Sequence, residues 1–218
     1  MTHSLARPAA LAALAATASL SLVAAPAQAA TGGTPTTTNP GLVTLHNADG
    51  DQVCSATLVS KSVALTWKSG CEGAVTARVP GAAGEVKITD QKQPPFRHPG
   101  KTQARAFVFE KALDGLNPAQ LSDHKMKAGD VVTVTALADG KLVTGQVSIT
   151  GVGGPDDHRW LSYADDLPDG FGLDARRDTG VPVTVDGALV GFSILQGSDD
   201  MNMENIDHLR GWISDLTR

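Results

Sequence analysis

From Gly41 onward the chain alternates apolar and polar residues in short runs separated by turn residues. "LVTLHN" (42–47) alternates, Asp49-Gly50 turns, and "VCSATLV" (53–59) alternates again, which predicts a hairpin. "SVALTW" (62–67) is a third strand. "AVTARVP" (74–80) and "GEVKITD" (84–90) are a fourth and fifth, and "ARAFVFEKA" (104–112) follows. Between them "KQPPFRHPGK" carries Pro94, Pro95 and Pro99 and reads as a loop. "DVVTVTAL" and "LVTGQVSITGV" flank a turn at "ADGK" and form a long hairpin. "VPVTV" and "ALVGFSIL" form another around Asp186-Gly187. The segment 153–180 is rich in turn residues and nearly aperiodic, as a long functional loop would be. At the C-terminus the period changes. In "MENIDHLRGWISDL", Ile206, Leu209, Ile213 and Leu216 share one helical face, with Asn205 at its cap. Eleven or twelve short strands and a closing helix indicate an all-β barrel architecture, and the strand run is long enough for two barrels.

Composition sharpens this picture. Of 218 residues, 23 are glycine and 12 proline, and aromatics make up 4%, which favours turns and short strands over long helices. A net charge of -5 argues against a nucleic-acid partner. Residues 1–29 carry Arg7, an alanine- and leucine-rich stretch and the small-residue site Ala27-Gln28-Ala29. They read as a secretory signal, with Ala30 as the new first residue. No second long apolar run follows, so the expectation is a secreted, extracellular monomer without a membrane span. The two cysteines, Cys54 and Cys71, are either a disulfide, which export permits, or two buried thiols. With no histidine near them, zinc is not expected. The sequence holds no HExxH, P-loop or EF-hand pattern, and the acidic residues around Asp199 fit no calcium loop, so neither cofactor nor metal is implied.

Three segments carry a resemblance. "ATGG" opens the mature chain at Ala30, "CSATLVSKSVALTWKSGC" runs from Cys54 to Cys71, and "RDTGVPVTVDGALVGFSI" runs from Arg177 to Ile194. In that order they resemble the "IVGG", "CGGSLI…VLTAAHC" and "GDSGGPLV…G.LVGI" segments of the chymotrypsin-like (trypsin-type) serine peptidases, particularly secreted actinobacterial ones. "LRGWI" (209–213) is similar to that family's closing helix. The resemblance implies two six-stranded barrels with a C-terminal helix. They divide the peptidase-like domain 30–218 into a first barrel over about 30–114 and a second over 128–218. It also implies a Cys54–Cys71 disulfide.

The same comparison shows what is missing. The family's histidine falls on Ser69, or on Gly70 if the extra residue lies earlier. Its aspartate falls on Arg105, and its serine on Thr179. Arg177 and Val181 replace glycines, Arg177 within the oxyanion-hole region Arg177-Asp178-Thr179. An arginine cannot orient an imidazolium, and a threonine hydroxyl is a poor nucleophile without a base. Lys68 beside Ser69, or His98 and His158 from loops, are the groups left to substitute. Leu173 and Ser193 fall at the specificity pocket, with an apolar floor. Asp178 keeps its place, and the resemblance implies an ion pair with the Ala30 ammonium. The leading expectation is a secreted pseudopeptidase that binds a peptide or protein. The alternatives are an active serine-type hydrolase with a non-standard arrangement, or an unrelated structural β protein.

Overall fold

The computed structural model describes residues 30–95, 104–153, 161–164, 167, 170–195 and 201–218. The predicted signal segment, His98 and His158 lie outside them. Two short strands open the described chain, β1 (Ala30–Thr31) and β2 (Thr34–Pro35). Six more form the first half: β3 (Leu42–His46), β4 (Gln52–Ser60), β5 (Val63–Trp67), β6 (Thr76–Arg78), β7 (Val86–Lys92) and β8 (Ala104–Phe109). They close into a barrel in the order β3-β4-β5-β8-β7-β6.

The second half contributes β9 (Val131–Ala138), β10 (Lys141–Ser148), β11 (Gly151–Gly153), β12 (Leu161–Ala164), β13 (Gly172–Leu173), β14 (Pro182–Val185), β15 (Ala188–Leu195) and β16 (Met201–Asn205). Six of them run β12-β16-β15-β14-β9-β10, and β11 and β2 flank this row to give an eight-stranded sheet. A 3-10 turn (Asp207–Leu209) leads into α1 (Arg210–Leu216). The all-β class and the closing helix are as the periodicity indicates.

Three details differ from the sequence reading. The segment 153–180 is not all loop, since β12 and β13 lie in it. Met201–Asn205 is a strand, so Asn205 ends β16 and does not cap the helix, which is confined to the last turns. The leader belongs to the second half, not the first: Ala30 pairs with Leu173, and Thr34 with Thr144. Gly32 makes that crossing possible. It sits at φ +66, and a Cβ there would lie 1.3 Å from the Gly170 carbonyl oxygen.

Strand alternation explains the packing. Along β4, Cys54, Ala56 and Leu58 point into the barrel core beside Val43, Leu45 and Phe107. The intervening Ser55 and Thr57 face the second half and are also buried. A second cluster, built on Val132, Val134, Val183 and Met203, fills the other half and takes in Ala30. A third lies between the halves. There Leu65, Ala104 and Ala106 meet Leu189 and Phe192, sealed by Trp212 and Ile213 of α1. The two halves are therefore locked by apolar burial on one side and by hydroxyl contacts from β4 on the other.

Candidate functional site

The hydroxyl face of β4 grips the turn 174–180. Ser55 Oγ donates to the Arg177 carbonyl at 2.6 Å, and Gln52 Nε2 donates to the same oxygen at 3.3 Å. Thr57 Oγ1 donates to the Gly180 carbonyl at 2.9 Å, and the Ser55 N–H to the Thr179 carbonyl at 3.0 Å. Gly180 holds φ +89, and a Cβ there would stand 2.2 Å from Thr66 Oγ1 and 2.3 Å from the Ser55 carbonyl oxygen. Only glycine lets the turn approach the first barrel this closely.

Asp174 organises the turn from its other end. Its Oδ1 accepts the N–H groups of Arg176 at 3.0 Å and Arg177 at 2.8 Å. Its own N–H donates to Asp178 Oδ2 at 2.8 Å, and its carbonyl accepts the Asp178 N–H at 2.9 Å. Ser193 on β15 anchors the exit. Its Oγ accepts the N–H groups of Gly180 and Val181, each at 3.1 Å, and donates to the Asp178 carbonyl at 2.5 Å.

Thr179 is fully buried, and its hydroxyl donates to the Ala175 carbonyl at 2.9 Å. A hydroxyl has one proton to give, so this one is committed to a backbone carbonyl, and no histidine among the described residues bonds to it. The Arg177 N–H, which would serve an oxyanion, is committed to Asp174. Ser193 is a buried hub within the turn. Leu173 is buried beside Ala30 in the two-stranded β1–β13 pair.

Asp178 is 1% exposed. Its Oδ1 is buried without a hydrogen-bond partner among the described residues. Burial, opposed by the Asp174 N–H bond, pushes its carboxyl up to about 7.

The other predicted site residues scatter. The Cys54–Cys71 disulfide is formed and closes the segment that holds Lys68, Ser69 and Gly70. Those three are half-buried, with the Gly70 N–H bound to Glu72 Oε2 at 2.9 Å. Arg105 lies opposite Thr66 and sends its guanidinium to Gln91 Oε1 at 3.2 Å, on the exposed side of β7. Its neighbour Ala104 is the residue turned toward the apolar cluster between the halves. The described histidines have other work. His46 is buried against Gly50 and Thr44, and burial holds its pKa below the usual value despite the Gly50 carbonyl. His124 meets Asp130, and His208 meets Glu204.

A cleft of 610 Å³ remains over the turn, lined by Gln52, Gly70, Glu72, Asp174, Arg176 and Arg177 among others. Glu72 and Asp174 are tied to backbone N–H groups, whereas neither arginine side chain makes an ion pair among the described residues. Sequence reasoning missed Ser55, Gln52 and Asp174. The one available signal was an aspartate three residues before Arg177, the spacing of a side chain that caps its own turn.

No family model matches the chain, and no curated protein matches it. Solved structures do. Kallikrein-related peptidase 10 superposes with a TM-score of 0.68 at 19% identity, over 82% of this chain and 96% of that one. Neuropsin, a serine protease of mouse brain, gives 0.65 at 15% identity over 82% and 95%. The scabies mite inactivated protease paralogue S-I1 gives 0.63 at 15% identity over 84% and 98%. The chain has the trypsin-like serine protease fold.

Proposed function

We propose that this protein is a secreted trypsin-fold pseudopeptidase that hydrolyses no peptide bond and binds an extended peptide or protein segment in the cleft over residues 174–180. The observation that carries the reading is the Thr179 hydroxyl, fully buried and bonded to the Ala175 carbonyl. Attack requires a solvent-side hydroxyl within reach of a base and two free N–H donors for the oxyanion. Here the hydroxyl is inward and the Arg177 N–H is occupied.

Binding has its own support. Ser193 spends both its backbone groups on Gly180 and Val181. Beyond it, Ile194 and Leu195 of β15 pair with β16 alone among the described residues. Among the described residues their other edge is unpaired, and an added strand there would extend a peptide held over the turn, the mode by which a peptide binds without chemistry. The fold shared with an inactivated protease paralogue is consistent with this.

Asp178 enters the same reading. Its buried, partnerless Oδ1 and the buried Ala30 belong to segments joined through the Ala30–Leu173 pair. Removal of residues 1–29 turns the Ala30 nitrogen into an ammonium that pairs with Asp178. The test is incubation of the chain beginning at Ala30 with a fluorophosphonate probe, read by intact mass. No adduct is expected alongside a fully labelled control peptidase. A stoichiometric adduct on Thr179 or Ser69 would overturn the reading in favour of a non-standard hydrolase.

A further inference from the structure

The face of the second sheet formed by β2, β10, β9 and β14 carries a lattice of neutral hydrogen-bonding side chains. Strand register aligns them. Thr34 stands opposite Thr144, and Thr144 opposite Thr135. In the next row Gln146 stands opposite Thr133, and Thr133 opposite Thr184. Paired residues point to one face, and alternation sends Val132, Val134 and Ala136 of β9 to the core on the other. Two cavities, of 780 and 420 Å³, lie over this face and share Thr133 and Thr144, so they form one groove. Four strands at about 4.8 Å spacing give it a length of roughly 14 Å. It shares no residue with the cleft over the 174–180 turn.

Two observations identify what would fill it. First, no residue lining either cavity is charged, in a chain where 19% of residues are. An ionic ligand would lose water there without gaining a counter-charge. Second, the groove holds unspent hydrogen-bonding capacity. Thr135 is 2% exposed and lines the cavity, and its hydroxyl has no hydrogen bond among the described residues. The Thr133 hydroxyl is likewise unbonded among them. Those of Thr144 and Thr184 make only long contacts, each of 3.3 Å, to neighbouring carbonyls. An apolar ligand would leave these groups unsatisfied. The donors and acceptors named here are side chains on a sheet face, whereas an added peptide strand bonds along a backbone edge. Hydroxyl and amide groups that both donate and accept, spaced along a neutral groove, match a ligand whose own hydroxyls do the same.

We propose that this groove is a binding site for a neutral linear oligosaccharide. The site is independent of the pseudopeptidase reading and stands whether or not the cleft hydrolyses anything. The experiment titrates isotope-labelled protein beginning at Ala30 with maltohexaose, cellohexaose and chitohexaose, reading backbone amide shifts by NMR. At least one is expected to shift the amides of β9, β10 and β14 while leaving those of 174–180 in place. Thr135→Val and Thr133→Val keep side-chain shape while removing a hydroxyl, and each is expected to weaken binding by about tenfold. An unchanged amide spectrum elsewhere confirms that each variant folds. Three results each overturn the proposal: no shifts with any of the three sugars at millimolar concentration, affinity unchanged in both variants, or equal occupation of the groove by dextran sulfate or an acidic peptide.

Discussion

Replacing Asp178 with asparagine tests the electrostatics of the 174–180 turn. In the chain that still carries residues 1–29, burial raises the Asp178 carboxyl from 3.8 to about 7. The native state therefore holds a proton that the unfolded state releases at lower pH. The stabilisation from this group is complete below about pH 3.8 and is lost as pH rises to about 7. A gap of roughly three pH units, at about 1.4 kcal/mol for each, makes the ionised native state less stable by about 4 kcal/mol. Asparagine cannot ionise. Asp178→Asn in the uncleaved chain should therefore match the parent at pH 4 and exceed its stability by about 4 kcal/mol at pH 8. In the chain beginning at Ala30 the sign reverses at pH 8. There the proposed Ala30 ammonium would favour the carboxylate, and removing the charge would break that pair at a cost of about 3 kcal/mol or more. Urea unfolding of the four proteins at pH 4, 6 and 8, disulfide intact, measures both effects. Equal pH slopes for parent and variant in the uncleaved chain would refute the burial argument. The same sign of effect in both chains would refute the Ala30–Asp178 pair.

Further predictions address the turn and its anchors. Gly180→Ala forces a side chain into φ +89 and to 2.2 Å from Thr66 Oγ1, and should cost about 3 kcal/mol or more in urea unfolding. Ser55→Ala removes the 2.6 Å bond to the Arg177 carbonyl and should cost about 1–2 kcal/mol by the same measurement. Thr179→Ser should not gain fluorophosphonate labelling, because a serine at that place still gives its proton to the Ala175 carbonyl. Replacing Cys54 and Cys71 together by alanine opens a loop of sequence separation 17 and should lower stability by roughly 3 kcal/mol.

Alternation makes the strands of both halves legible because most of them bury one face and show the other. β4 is the instructive case: its apolar positions announce a strand, and alternation alone would send Ser55 and Thr57 to a solvent face. They are buried because a second half lies across them, which periodicity within one strand does not record. β16 was hidden by overlap. Met201 and Met203 alternate as a strand should, but Ile206, Leu209 and Ile213 extend a helical period backward over them. Strands of two residues such as β13 have no period to detect, and only their pairing defines them. At the site, the Cys54–Cys71 pair and the turn at 177–180 were located by resemblance. Arg105 falls at the family's aspartate by resemblance, but a short generic strand leaves that register open by one. The structure turns Ala104 inward and Arg105 out to Gln91. The fates of the Thr179 hydroxyl and the Arg177 N–H depended on Ala175 and Asp174. Those are local partners whose geometry, not whose identity, decides the chemistry.

The leader's place in the second half also fixes an order of events during synthesis. The strands that close the first barrel all lie between residues 42 and 109, so that ring can form as the chain emerges. Ala30–Pro35 cannot join it. Its partners are Val143 and Thr144 for one strand and Gly172 and Leu173 for the other, made long afterwards. Once the second half assembles, Ala30 is 1% exposed. If a peptidase cuts before Ala30, it is therefore expected to act before the second half assembles around that residue.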